Sequence, residues 1–243
     1  MATRLTNVAI DGKDQRALAR WWGEALGWEV SYEDEEETDI APPAGEPGVE
    51  LAFGPVPEAK SGLNRLHLDL SSRSLEDQAA IVARLEAAGA TRIDIGQDKY
   101  APWVVLTDPE GNEFCVLEPR HLYEGCGPIA AIVVKAHDPA ELATFWQSAA
   151  GGEIKVRNAL AAGIRPATPG PWLEFVRNED PKTVKDRIHL DLRPFAADDQ
   201  DAEVARLLEL GAVRTDVGQS GEESWVVLAD PEGNEFCVLR PKD

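Results

Sequence analysis

The stretch Asp108-Pro109-Glu110-Gly111-Asn112-Glu113-Phe114-Cys115-Val116-Leu117 occurs a second time, unchanged, at residues 230–239. The two occurrences start 122 residues apart (230 − 108 = 122). The same spacing relates the segment Leu66–Leu70 to the segment Ile188–Leu192. Such a repeat predicts one unit of about 120 residues that is used twice. We therefore expect one domain at residues 1–120, a linker at 121–127 and a second domain at 128–243.

Length and charge limit the classes of partner. The chain has 243 residues and a formal net charge of −20, which disfavours nucleic acids and anionic membranes because both bind basic surfaces. It contains no apolar run long enough to span a bilayer, and its first residues lack a signal-peptide pattern. We expect a cytoplasmic protein, a monomer or a homodimer, whose partner is a small molecule. The acidic run Glu33–Asp39 is predicted to be a solvated loop rather than a cation site.

Helix signals and strand signals alternate along both copies. Asp14, Ser74 and Asp138 are predicted N-caps, with Pro139 at the first position of its helix. The stripes containing Trp21-Trp22 and Phe145-Trp146 have helical spacing and predict buried faces. Residues 91–95 and 103–106 are predicted strands, and Asp108–Asn112 is predicted to form a tight turn. Each copy therefore contains the order strand, helix, strands twice, which is typical of an α+β domain.

Three segments resemble the vicinal-oxygen-chelate superfamily, which includes glyoxalase, bleomycin-resistance and extradiol-dioxygenase proteins. They are Trp21–Trp28, His67–Leu70 and Asp108–Phe114, together with their counterparts in the second copy. The resemblance implies two tandem domains, each of two βαβββ modules whose strands form a curled sheet around a cavity. A fold of this kind carries many different chemistries, so the resemblance alone does not decide the function.

Metal enzymes of that superfamily place ligands on the first and last strands of each module. The resemblance therefore implies His67, Glu50 and Cys115 as metal ligands, with the cysteine standing where the family has glutamate. Pairing of modules across the copies would give one site with Asn7, Glu50, His189 and Cys237, and another with His67, Cys115, Ala131 and Trp172. No arrangement completes the family's ligand set. The expectation is a protein without a resident cofactor, and a divalent zinc, manganese, nickel or iron ion is the alternative.

Strand alternation separates two faces within the repeated His-Leu-Asp segment. Leu66, Leu68 and Leu70 are predicted to pack under the helices, so His67 and Asp69 face the cavity. His189 and Asp191 repeat this arrangement. Either each pair is a scaffold contact, or His67 and His189 are catalytic bases and the aspartates orient them or bind a ligand.

Four aromatic residues are candidates for ligand-binding walls, with core filling as the alternative: Trp103, Trp225, Phe53 and Trp172. Two functions remain open. One is the binding of a small aromatic or hydrophobic molecule without a complete metal site. The other is a metal-dependent lyase or isomerase of the glyoxalase I type, which would use His67 and Glu50.

Overall fold

The computed structural model describes residues 3–242, and each sequence copy contains two βαβββ modules. The first module comprises β1 (Thr3–Gly12), α1 (Gln15–Leu26), β2 (Glu29–Glu33), β3 (Thr38–Ala41) and β4 (Glu50–Pro55). The second module comprises β5 (Leu66–Leu70), α2 (Leu75–Ala87), β6 (Thr91–Arg92), β7 (Val104–Thr107) and β8 (Glu113–Val116).

The second copy repeats this order after a short linker, which contains one 3₁₀ turn at His121–Tyr123. The third module comprises β9 (Ile129–Ala136), α3 (Pro139–Ala150), β10 (Glu153–Arg157), β11 (Ala161–Arg165) and β12 (Trp172–Arg177). The fourth module comprises β13 (Ile188–Pro194), α4 (Gln200–Glu209), β14 (Val213–Arg214), β15 (Val226–Ala229) and β16 (Glu235–Val238). None of the helices within residues 3–242 combines the length and the apolar character needed to cross a bilayer.

The predicted helix caps are confirmed. The Asp14 carboxylate accepts a hydrogen bond from the backbone N–H of Ala17 at 3.0 Å, and Ser74 and Asp138 cap α2 and α3 in the same way. Gly27 ends α1 with a φ of 73°, a conformation that glycine adopts without a steric penalty.

The strand predicted over residues 91–95 is shorter than expected, because β6 contains only Thr91 and Arg92. The backbone N–H groups that follow are bound by side chains instead. Gln97 Oε1 accepts from Ile95 N, and Asp94 Oδ1 accepts from Gly96 N, each at 2.8 Å. These local bonds replace the strand ladder and turn the chain.

The two copies exchange halves when they form sheets. Sheet 1 has the strand order β14-β15-β16-β13-β1-β4-β3-β2, so it joins the first module to the fourth. Sheet 2 has the order β10-β11-β12-β9-β5-β8-β7-β6, so it joins the second module to the third. The modules meet through antiparallel pairs, β1 with β13 and β5 with β9. Neither copy on its own therefore builds a complete sheet.

The duplicated stretch connects the two modules of each copy. Asp108 Oδ1 accepts from the backbone N–H groups of Glu110 and Asn112, which closes the predicted turn. Its Oδ2 accepts from the indole Nε1 of Trp22 in α1 at 3.1 Å. Asp230 and Trp146 repeat this bond at 3.1 Å. Because the turn lies in sheet 2 and α1 covers sheet 1, the stretch links the two sheets.

The helices and one face of each sheet enclose the main apolar core. Trp22, Phe145 and Trp146 are buried in it, and Trp21 packs against it, which confirms the core prediction for these aromatic pairs. Phe53 also lies in this core and is fully buried. Its prediction as a ligand-binding residue is therefore wrong, because Phe53 and Glu50 are three residues apart and point to opposite faces of β4.

Candidate functional site

Each sheet has a second face that is turned away from the helices, which we call the open face. Three residues recur there at matched positions: a histidine and an aspartate on β5 or β13, and a cysteine on β8 or β16. The predicted alternation is confirmed, because Leu66, Leu68 and Leu70 lie in the helix-side core. His67, Asp69 and Cys115 come together on sheet 2, and His189, Asp191 and Cys237 come together on sheet 1.

The ligand set predicted from the first copy has to be divided. His67 and Cys115 lie on sheet 2, whereas Glu50 lies on β4 of sheet 1. The modules pair across the copies, so Glu50 shares its sheet with His189 and Cys237. This is the cross-copy arrangement that the sequence left open.

One row of residues crosses the open face of sheet 1. Strand register places them side by side in the order Cys237, Asp191, Asn7 and Glu50. The Asn7 amide donates a hydrogen bond to Asp191 Oδ2 at 2.7 Å. Asp191 Oδ1 lies 3.4 Å from His189 Nε2 but has no hydrogen-bond partner within the described chain. His189 Nε2 in turn lies 3.5 Å from Cys237 Sγ.

Burial governs the protonation of this row. It raises the pKa of Asp191, although His189, Cys237 and Asn7 all act in the opposite direction. Burial and the adjacent Asp191 carboxylate raise the pKa of the Cys237 thiol well above its ordinary value. Cys237 is therefore a thiol rather than a thiolate near neutral pH.

Further carboxyl groups lie on the same face. Asp39 lies on β3, which pairs with β4, the strand that carries Glu50. Its register partner on β4 is Ala52, and only 8% of the Asp39 surface is exposed. Its Oδ1 is buried and has no hydrogen-bond partner among residues 3–242. Burial, followed by the charges of Glu37 and Glu50, raises the pKa of Asp39 to about 8. Burial is also the main cause of the raised pKa values of Glu37 and Glu50.

This part of the site was missed in the sequence, where the run Glu33–Asp39 was predicted to be a solvated loop. The prediction is confirmed for Asp34–Glu36, which form an exposed loop, and is wrong for Asp39. Glu33 is exposed as expected, but it ends β2. Asp39 lies in a strand next to the core residue Ile40, and alternation turns the aspartate to the open face. In the sequence, the apolar residues that follow the acidic run could have indicated that Asp39 belongs to a strand rather than to the loop.

Sheet 2 carries apolar residues at the matched positions. Ala131 stands where sheet 1 has Asn7, and Trp172 stands where it has Glu50. The linker covers this face, because Tyr123 packs edge-on against Trp172 with ring centroids 6.2 Å apart. The Tyr123 hydroxyl also donates to Glu174 Oε1 at 2.8 Å. The open face of sheet 2 is thus filled by a second apolar cluster that contains Cys115, Tyr123 and Trp172.

The two tryptophans that precede β7 and β15 also differ in their surroundings: one is packed on sheet 2 and the other is exposed beside sheet 1. Trp103 packs against the apolar cluster of sheet 2, and the Arg120 guanidinium lies 5.8 Å from its ring centroid. Trp225 holds the matched position beside sheet 1, where 42% of its surface is exposed. Of the four predicted aromatic ligand-binding residues, Trp225 is therefore the one with accessible ring surface beside the acidic face. Trp172 and Trp103 fill sheet 2 instead.

The donor atoms of the two triads can be tested against a divalent ion. In each triad one atom from each residue lies within 4.8 Å of the others. Imidazole, carboxylate and thiolate together form a donor set that zinc accepts. The buried Oδ1 atoms of Asp69 and Asp191 both lack a hydrogen-bond partner within the described chain. Sheet 1 adds Glu50 to its row, whereas sheet 2 has Trp172 there, so the residues of sheet 1 fit a divalent ion better.

The family model of the glyoxalase-like domain matches residues 7–117 and again residues 131–239. No curated protein sequence matches the chain significantly. Among solved structures, glyoxalase I from Zea mays is 14% identical, with 98% of this chain and 92% of that chain covered and a TM-score of 0.64. A putative dioxygenase from Bacillus subtilis is also 14% identical, with 100% and 86% covered and a TM-score of 0.65.

At this level of identity the two structures show the fold alone, and the family model identifies both copies along the chain. The chain belongs to the glyoxalase-like domain family, with the domain present twice in tandem.

Proposed function

We propose that this chain binds a small molecule on the open face of sheet 1, and that the bound molecule presents a protonated amine to the carboxyl groups there. The observation that carries the proposal is that Asp39 and Asp191 are both nearly buried and each keeps one carboxylate oxygen without a hydrogen-bond partner. Buried polar atoms of this kind are normally paired, so two of them on one face favour a missing partner that donates hydrogen bonds.

The charges on this face decide which donor suits it. Glu37, Asp39, Glu50 and Asp191 are carboxyl groups whose pKa values are all raised, mainly by burial. An ammonium group would relieve their mutual repulsion and form charge-assisted hydrogen bonds. The exposed ring of Trp225 offers a surface for an aromatic or hydrophobic portion and for cation–π contact. The net charge of the chain also favours the approach of a cation.

Sheet 2 has a different role in this proposal. Its matched face holds Trp172 and Val133 and is covered by Tyr123. We infer that this half supports the fold, and that the binding site is built from Glu50 and Asp39 of the first copy with His189 and Asp191 of the second.

Benzylamine is a suitable probe, with benzyl alcohol as its uncharged counterpart. At pH 8 we expect benzylamine to raise the melting temperature and benzyl alcohol to leave it unchanged, since binding to the folded state stabilises it. Asp39→Asn should remove the shift, whereas Glu174→Gln on sheet 2 should preserve it. Equal shifts from both compounds, or a shift that survives Asp39→Asn, would contradict the proposal.

A second candidate is a metal-dependent lyase or isomerase of the glyoxalase I type, favoured by the clustering of His189, Asp191 and Cys237. A divalent ion held there would supply Lewis acidity to a bound substrate. His189, Asp191 and Cys237 would hold the ion, and Glu50, beside them in the row, would hold or release a proton. Metal analysis of protein purified without added metal tests this function. It predicts a stoichiometric ion that is lost in His189→Ala and kept in His67→Ala.

A further inference from the structure

A cavity of about 460 Å³ lies beside the starts of β5 and β13. It is formed by the loop before β5 and the matched loop before β13, together with the end of β9. Its lining is residues 61–65, Lys135, Asn178 and residues 180–187. The cavity therefore lies where corresponding segments of the two copies face each other.

The lining is basic although the chain is strongly acidic. It contains five cationic side chains, Arg65, Lys135, Lys182, Lys185 and Arg187, but only two acidic ones, Asp180 and Asp186. Screening limits the repulsion from distant carboxylates to about 8 Å at physiological salt. The local charge is therefore more important for a ligand inside the cavity than the net charge of the chain.

Three of the five cations are held by partners. Arg65 donates to Asn234 Oδ1 at 2.6 Å and to the Lys135 carbonyl at 2.8 Å. Lys182 pairs with Glu235 and Asp186. Lys185 pairs with Asp11 at 2.5 Å. These groups shape the wall, and their charges are largely neutralised.

Lys135 differs from these three, because its ammonium group has no hydrogen bond or ion pair within residues 3–242. The repeat explains how this arose. In the alignment of β1 with β9, Asn7 corresponds to Ala131, so Asp11 corresponds to Lys135. The lysine that neutralises Asp11 is Lys185, and its counterpart in the first copy is Leu63. A charged pair in one half is thus replaced in the other by a lysine and a leucine.

Arg187 provides a second incompletely satisfied cation. Only 8% of its surface is exposed, and its Nε and Nη2 have no hydrogen-bond partner within the described chain. Its Nη1 donates to the Glu58 carbonyl at 3.1 Å, and Nη2 lies 3.5 Å from Glu110 Oε2. Buried guanidinium donors without hydrogen bonds are costly, and an anionic acceptor would satisfy them.

We propose that this cavity binds a small organic carboxylate, with its carboxylate at Lys135 and Arg187 and its apolar portion beside Leu63 and Val184. These two apolar side chains line the cavity and are 45% and 52% exposed, so a ligand can cover them. The site uses none of the residues proposed to bind the amine on sheet 1 and does not depend on the function proposed for that face.

The lowered pKa of Lys135 reflects an ammonium group that has no anionic partner among the described residues. Burial lowers its pKa, and the neighbouring Arg65 and Lys60 add to this effect, while Glu113 and Asp180 oppose it. A bound carboxylate would stabilise the ammonium form and raise the pKa again.

Calorimetric titration with benzoate tests the proposal, with benzyl alcohol and inorganic phosphate as probes that lack the charge or the apolar portion. We expect benzoate to bind with a Kd on the order of 1 mM or tighter, and the other two to bind more weakly. Lys135→Met should weaken benzoate binding about tenfold. Lys155→Met is the control, because Lys155 lies outside the cavity and pairs with Glu153. Unchanged binding in Lys135→Met, or phosphate binding as tight as benzoate, would overturn the proposal.

A measurement on the unmodified protein guards against a variant that fails to fold. With isotope-labelled lysine side chains, benzoate should shift the Lys135 signal while Lys155 stays unchanged. A titration in which the Lys135 signal does not move would also overturn the assignment.

Discussion

The hydroxyl of Tyr123 donates a hydrogen bond of 2.8 Å to the carboxylate of Glu174, and this contact closes the open face of sheet 2. Tyr123 comes from the linker, and Glu174 comes from β12. On sheet 1 the residue at the matched position is Ala52, and no apolar cluster covers the open face there in the part of the chain that the structure describes. The duplicated fold therefore has one filled face and one polar face.

Removal of this hydroxyl should destabilise the fold. Tyr123→Phe leaves the half-buried Glu174 carboxylate without its donor, which should lower the free energy of unfolding by about 1–3 kcal/mol. Burial already raises the pKa of Glu174, and the Tyr123 bond lowers it. The loss should therefore be larger at pH 8, where the group is ionised, than at acidic pH.

Urea unfolding at both pH values measures this effect, and the double variant Tyr123→Phe with Glu174→Gln is the control. The double variant should recover part of the lost stability, because the half-buried acceptor is then uncharged. Additive losses from the two substitutions would show that the pair is not coupled.

Asp39 should make the folded state less stable as the pH rises. Its pKa is raised from 3.8 to about 8, so between these values the folded state binds more protons than the unfolded state. The free energy of unfolding then falls with increasing pH across that window and levels off above it. Asp39→Asn should remove this slope and raise stability at pH 8 by about 1–2 kcal/mol.

Thermal unfolding of wild type and Asp39→Asn from pH 4 to pH 9 checks the sign. Asp34→Asn is a suitable comparison, because Asp34 lies in the same acidic segment but its pKa is lowered, mainly by the hydrogen bond from the Tyr32 hydroxyl. An Asp39→Asn variant that loses stability most at high pH would contradict the assignment.

The duplicated stretch should be equally important in both copies. Asp108 accepts hydrogen bonds from the turn backbone, from Asn112 and from the Trp22 indole. Asp108→Ala removes them together, so we expect a loss of about 2–4 kcal/mol. Asp230→Ala should cost a similar amount, because its bonds repeat those of Asp108.

Chemical unfolding of both variants tests this equivalence. Asp94→Ala is the control, since Asp94 also caps a turn but does not reach a helix. A loss in Asp108→Ala no larger than that in Asp94→Ala would show that the link between the sheets contributes little.

The sequence predicted the parts of the fold that depend on local chemistry. The caps at Asp14 and Asp138 follow from short-range hydrogen bonds, and the faces of β5 follow from strand alternation. The partner of each module could not be predicted in the same way. The His-Leu-Asp segments of β5 and β13 are almost identical, so either could pair with β1, and the geometry of the whole chain decides between them.

The functional site could be predicted only in part, because the pairing of strands between modules also decides which residues meet there. His67 and His189 were found as matched residues, but the difference between their surroundings comes from other strands. Asp39 reaches the site of His189 through the pairing of sheet 1, and Tyr123 reaches the site of His67 through the linker. Neither residue is near its histidine in the sequence, and neither belongs to the repeated motif.

The matched aspartates Asp191 and Asp69 allow the most direct test of the proposed function. Both are buried, and each has a carboxylate oxygen without a hydrogen-bond partner in the described chain, but only Asp191 lies on the polar face. Calorimetric titration of benzylamine at pH 8 should therefore give binding that Asp191→Asn weakens about tenfold and Asp69→Asn leaves unchanged. Binding that both variants preserve, or that only Asp69→Asn weakens, would contradict the assignment of the site to sheet 1.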